Sequence, residues 1–165
     1  MKRLIVIIVG FLFIDCDMNR EVKFDYNLFL MQKKAWEQTK PYNYQYSFFR
    51  NNHGFEPEMS ALIIVENGQY KEQIPDEGEW LIGVSSEYQT IDKIYKTIDA
   101  IFNFHRGKDD SVYLTEILIE YDLKNHIPIK TEFFYYVEHG VMDIGNYGLY
   151  RIKNLNRSRP CGRLA

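Results

Sequence analysis

Four histidines, His53, His105, His126 and His139, are the side chains of this sequence best suited to bind a metal or move a proton near neutral pH. None stands three or four positions from another, the spacing that sets two ligands on one helix face, so their pattern predicts no metal centre. Asp76, Glu77 and Glu79 place carboxylates close together, but not at the regular positions from which a calcium loop draws its oxygen ligands; they read as a solvated turn. Ser85 and Ser86 have no flanking glycine elbow, and Cys161 sits in a polar tail with no base at a fixed spacing, so neither supports nucleophilic catalysis. Asp122 and Asp143 read as a turn residue and a loop cap rather than an acid and base pair. No cofactor is expected.

A different chemistry is written at Cys16. Met1, Lys2 and Arg3 precede an almost wholly apolar run from Leu4 to Ile14, after which Asp15, Cys16 and Asp17 restore polarity. That is the charged and apolar order of a secretory signal, and the run is about half the roughly 20 residues that a membrane-crossing helix needs. A lipoprotein signal peptidase requires a cysteine just after such a stretch, because the diacylglyceryl thioether is built on its sulfur. Leu12, Phe13 and Ile14 fit a relaxed lipobox, whereas Asp15 departs from the small residue normally found there. The expectation is a signal peptide at 1–15, lipidation of Cys16 and a polar tether at 16–24. An ordinary secreted protein and an uncleaved anchor are the alternatives. With the Cys16 sulfur consumed, Cys161 is left as a lone thiol and no disulfide holds the fold.

The chain has 165 residues, enough for one domain with its own core, expected over 25–155 with a flexible tail at 156–165. A formal charge of -3 gives no basic surface for nucleic acid, which is not an expected partner. The compositional bias is aromatic, with 13 Tyr and 11 Phe, mostly in alternating runs that suit half-buried strands.

Asp25 or Asn27 can cap a first helix whose stripe is Leu28, Met31 and Ala35, with Phe29 and Trp36 beside it and Gln32, Lys33, Lys34 and Glu37 outward; Pro41 ends it. From Tyr42 the period becomes two, with Tyr42, Tyr44, Tyr46 and Phe48 on one face. Ala61–Glu66 and Tyr70–Ile74 flank Asn67-Gly68, the dipeptide whose positive φ angles suit a tight hairpin. Pro75–Gln89 has no assigned element beyond room for a short strand. Thr90 caps a second helix with Ile91, Ile94, Tyr95, Ile98, Ile101 and Phe102 inward, and Gly107 stops it. Val112–Tyr121 follows as a strand with Tyr113, Ile117, Ile119 and Tyr121 on one face. Ile129–Val137 and Tyr147–Leu155 complete the set. The fold class is therefore α+β, order αββ(β)αβββ, with two amphipathic helices on one face of a mainly antiparallel sheet of five to six strands.

Trp36 with Tyr42, Tyr44 and Tyr46, the hairpin Ile64-Val65-Glu66-Asn67-Gly68, Thr90-Ile91-Asp92, Tyr121-Asp122 with Pro128, and Asp143 before Tyr150-Arg151-Ile152 follow one another in an order and spacing that carry a family likeness. Over about Lys34 to Leu155 the chain resembles a family of small exported bacterial proteins, many of them lipoproteins, that form a domain of unknown function. The resemblance implies an extracytoplasmic, non-catalytic domain and supplies no activity. Many members carry a close cysteine pair after the first strand; here Asn51, Asn52, His53, Gly54 and Phe55 stand there, so no thiol role carries over.

The leading expectation is an envelope-anchored binding or accessory module. It would be held to the membrane through the lipid and meet an envelope protein or polymer through the sheet or the 75–89 segment. Tyr42, Tyr44, Tyr46 and Trp80 are its candidate contact surface, since tyrosine packs well and keeps a hydroxyl for hydrogen bonds. An envelope hydrolase and a passive structural lipoprotein are the alternatives.

Overall fold

Asp25 sets the start of the first helix: its carboxylate accepts the Leu28 N–H at 2.9 Å and caps α1, Tyr26–Thr39. The structure, a computed structural model, describes residues 21–51, 59–75, 86–107, 112–137 and 149–157. The expected signal sequence, Cys16, most of the 75–89 segment, Trp80, Asp143 and Cys161 lie outside them. The buried face of α1 is not the expected one. Phe29, Gln32 and Trp36 point inward, whereas Met31 is 58% exposed. The polar Gln32 is tolerated there because its Oε1 lies 3.0 Å from His126 Nδ1, which leaves the two large aromatic rings to fill the interior.

Three strands follow, β1 Tyr44–Asn51, β2 Met59–Glu66 and β3 Gln69–Pro75. The β2–β3 turn has Asn67 at φ 53° and Gly68 at φ 71°, the positive pair that the dipeptide predicts. It is pinned from outside by Gly68 N–H to the Tyr42 carbonyl and Asn67 N–H to Asn43 Oδ1, both 2.8 Å. One 3-10 turn at Ser86–Tyr88 leads into α2, Ile91–His105. The Thr90 hydroxyl accepts the Lys93 N–H, and Ile91, Ile94, Tyr95, Ile98 and Phe102 are buried as their spacing requires. The meander β4 Val112–Asp122, β5 Ile127–Val137 and β6 Leu149–Arg157 completes the chain.

All six strands form one antiparallel sheet in the order β3-β2-β1-β6-β5-β4, so the fold is α+β. Each helix precedes a three-strand meander, and the seam joins the first strand of one meander to the last of the other. The helices lie antiparallel: Lys33 near the middle of α1 bonds Asp99 of α2 at 2.9 Å, and Lys40 after its end bonds Asp92 near the α2 start at 2.6 Å. No described helix is long and apolar enough to cross a membrane.

Two domain boundaries and the face of one strand also differ from expectation. Residues 22–24 belong to the domain rather than the tether: Val22 is buried, and Lys23 forms a parallel bridge to the β4 edge through its N–H to the Thr115 carbonyl and its carbonyl to the Ile117 N–H. Phe24 packs against Phe29 and Phe102. At the other end β6 continues to Arg157, past the expected limit at 155. In β4, a bulge between Leu114 and Glu116 resets the alternation, so Leu114 and Ile117 face the core while Tyr113 turns to the opposite face and meets Tyr136 with ring centroids 5.2 Å apart. One extra residue in a strand exchanges its faces, and strict alternation cannot register it.

Candidate functional site

The sequence points to Tyr42, Tyr44, Tyr46 and Trp80 as a contact surface, and the structure separates the first of the three tyrosines from the other two. Tyr42 lies before β1 and is 73% exposed; Tyr44 and Tyr46 are 2% and 0% exposed and belong to the core. As contact residues Tyr44 and Tyr46 are therefore excluded. Their side chains alternate inward with Phe48 against Val65, Ile63 and Ala61 of β2. Their hydroxyls are spent internally: Tyr46 donates to the Tyr88 carbonyl at 2.5 Å, and Tyr44 accepts the Ile91 N–H at 3.2 Å. Burial, then the nearby Asp92 carboxylate, drives the Tyr44 pKa far above its ordinary value, and burial does the same for Tyr46 and Tyr95. Trp80 and Cys16 lie outside the described residues.

Among the described residues, the surface that neither helix covers is the other face of the sheet. With both helices packed on one side, Gln45, Ser47 and Phe49 of β1, Leu62 and Ile64 of β2 and Ile74 of β3 face away from them. Across the seam the same face carries Leu118, Phe134, Tyr113 and Tyr136. Ile74, Leu118 and Tyr136 are 46%, 43% and 49% exposed. Between the apolar groups runs a charged ladder, with Lys130 bonded to Glu132 at 2.8 Å and to Glu120 at 3.4 Å, and exposed Arg151 in register beside it. The signal for this face is present in Ala61–Val65, where apolar residues follow one another instead of alternating, as a strand with two apolar faces requires.

The polar clusters elsewhere fasten the fold. Asp99 accepts the Tyr26 hydroxyl at 2.9 Å, Lys33 Nζ at 2.9 Å and Asn103 Nδ2 at 3.0 Å. Burial raises its pKa, but the Lys33 hydrogen bond, followed by those of Tyr26 and Asn103, outweighs this and holds the carboxyl below its ordinary range. Asp122 accepts the N–H groups of Lys124 and Asn125 and the Asn125 side chain, as a turn carboxylate does. His126, at φ 54° just after that turn, offers Gln32 its ring and Tyr95 its carbonyl. Among the described residues no three of His, Cys, Asp and Glu are grouped so as to hold a metal ion.

A small cleft of about 230 Å³ opens beside the β4 edge, lined by Phe24, Asp25, Leu28, Ile119 and Tyr121 among others. The Tyr121 hydroxyl is buried there with no hydrogen-bond partner. No family model matches this chain, and neither a curated protein nor a solved structure shows significant similarity to it.

Proposed function

We propose that this chain is an exported, lipid-anchored binding or accessory module that meets a protein of the cell envelope through the open face of its sheet. The observation that supports the binding surface is the one-sided cover: helices take the inner face, and the outer one keeps apolar and aromatic side chains interleaved with a charged ladder. Aromatic anchors set among paired charges suit a protein surface, where the rings supply contact area and the charges fix register. On the helix side Leu30, Met31 and Phe104 are also exposed, and Phe104, the aromatic among them, meets the His105 ring.

The address is supported by Lys2 and Arg3, the apolar run from Leu4 and the placing of Cys16. The resemblance to exported bacterial domains of unknown function points the same way. Metabolic labelling with a fatty acid should mark the wild type and leave Cys16→Ser unmarked; label in neither removes the anchor while leaving export standing.

A photo-cross-linking residue placed at Tyr136 or Leu118, with Lys34 on the helix side as the control, tests the surface in cells. Discrete protein adducts from the two sheet positions are the expected result. Adducts from Lys34 alone, or only adducts to carbohydrate polymer at the sheet, would overturn the reading.

A further inference from the structure

The second open feature is the β4 edge, and it stands independently of the open-face reading. Lys23 already occupies part of this edge, bonding the Thr115 carbonyl and the Ile117 N–H. Backbone groups of alternate residues in a strand point to the same side. The Ile117 carbonyl and both backbone groups of Ile119 therefore also point outward, since Leu118 and Glu120 turn theirs toward Glu132 and Lys130 of β5. The first strand-like residue of the chain leaves the edge at once, because Asp25 caps α1, and no described residue takes up the ladder beyond it. What remains is an unpaired stretch from Leu118 to Tyr121, about 13 Å long at the usual rise per residue. It is closed at one end by Lys23 and at the other by the Asp122 turn.

We infer that this stretch is a docking site for a short extended peptide that continues the Lys23 ladder and places one apolar side chain in the cleft between Leu28 and Ile119. Three observations meet there. The ladder is begun and left incomplete, so an incoming strand finds donors and acceptors already aligned with an existing bridge. The cleft roofed by the start of α1 is apolar at Phe24, Leu28 and Ile119 and is large enough for a leucine-sized group. Tyr121 adds an aromatic wall to the same cleft beside Ile119. Charge selects the flanking residues: Lys23 at the cleft is neutralised by Glu116, and Glu120 by Lys130, so the Asp25 carboxylate sets the sign among the lining residues and alternating apolar and basic residues fit. The length limits the occupant. Lys23 blocks the edge before Glu116, which leaves too little strand for edge-to-edge pairing with a second copy.

The test uses a fluorescein-labelled peptide, Lys-Leu-Lys-Leu-Lys-Ser, titrated with the full-length protein in detergent and followed by anisotropy. Saturable binding tighter than about 1 mM is expected. The same peptide N-methylated at both leucines keeps its charge and side chains but loses its ladder donors, and it should bind about tenfold or more weakly. Hydrogen exchange at the Ile119 amide should slow when the unmethylated peptide is added, a readout that needs no folded variant. Leu28→Arg, at the mouth of the cleft, should abolish binding without changing the circular dichroism. Equal binding of the methylated peptide would reduce the effect to bulk charge. An Ile119 amide protected before peptide is added would mean that the edge is already covered. Either result, or no saturation, overturns the site.

Discussion

Replacing Tyr46 with phenylalanine removes one oxygen atom, and the structure says what that atom is worth. Tyr46 is fully buried, and its hydroxyl donates to the Tyr88 carbonyl at 2.5 Å, tying the 3-10 turn before α2 to the central part of the sheet. The ring itself stays packed in Tyr46→Phe, so the change removes one hydrogen bond to a buried carbonyl rather than opening a large cavity. The cost is about 1–2 kcal/mol, within the range for leaving one partner of a buried hydrogen bond unsatisfied. Tyr44→Phe works in the opposite sense: its hydroxyl is an acceptor for the Ile91 N–H, one of the donors that the first turn of α2 cannot satisfy itself. It should lose about 1 kcal/mol. Both hydroxyls hold the same entry into α2, so the double variant should fall short of additivity, which urea denaturation can resolve. Tyr42→Phe is the internal control; its residue is 73% exposed and no stability change is expected. If Tyr46→Phe leaves the urea midpoint untouched while Tyr42→Phe lowers it, the assignment of Tyr44 and Tyr46 to the core is wrong and a surface role for them returns.

The same buried tyrosines set an alkaline limit. Burial raises the folded pKa of Tyr44, Tyr46 and Tyr95 above the ordinary 10.0, so their stabilisation is complete below pH 10 and lost as the pH climbs toward the folded values. At about 1.4 kcal/mol per pH unit for each, the three together give a loss near 4 kcal/mol per unit. Tyrosinate absorbance and far-ultraviolet circular dichroism should therefore change in one step above pH 10; gradual ionisation of all tyrosines with the fold intact would contradict this. On the acid side, Asp99 has a lowered pKa, so its bonds to Tyr26 and Lys33 stabilise above the ordinary 3.8 and fail as the pH falls through the lower folded value. Asp99→Ala should cost about 1–2 kcal/mol at pH 7 and much less at pH 2, measured as a shift in urea midpoint. Gly68→Ala should cost about 1 kcal/mol: an added Cβ meets nothing within 4 Å, so the loss comes only from φ 71°, and a neutral result would point to a different turn.

What the sequence conveys depends on whether one residue or a period carries it. The second helix is legible from Thr90 to Gly107 because cap, stripe and stop all agree, and the β2–β3 hairpin is legible from Asn67-Gly68 because few other pairs accept two positive φ angles. The first helix misleads by its polar residue: Gln32 can be buried because the ring of His126, distant in sequence, donates to its Oε1. Strand β4 misleads by its bulge, which has no local signature in Leu114-Thr115-Glu116. The reading of Tyr44 and Tyr46 as contact residues fails for a related reason. An alternating run of tyrosines says that Tyr44 and Tyr46 share a face, but not which face the helices cover, and that choice is made by the packing of Phe29, Trp36 and Ile98 against the sheet.

The docking of Val22–Phe24 turns the proposed anchor into a statement about orientation. From a lipid at Cys16, the six steps to Val22 reach at most about 21 Å, so an anchored domain must lie against the bilayer rather than swing on a long leash. The Lys23 bridge is parallel to β4, and Glu21 and Val22 line a depression with Phe102, Arg106 and Gly107 at the end of α2. The chain therefore enters from the Val112 side, while the Asp122–Asn125 turn lies at the other end of β4, about 30 Å farther along at the usual rise. Val112 and Leu123 are 41% and 65% exposed and can carry probes. In a Cys161→Ser background, fluorophores on Val112→Cys and Leu123→Cys should be quenched unequally by spin-labelled lipid in reconstituted vesicles, strongly at 112 and weakly at 123. Equal quenching would mean that the domain tumbles on its tether, and stronger quenching at 123 would invert the orientation; in both cases the Lys23 bridge would not survive in the anchored protein. The expected gradient would instead set Tyr113 and Tyr136 at the membrane-proximal end of the open face and the open stretch of the β4 edge toward the distal end.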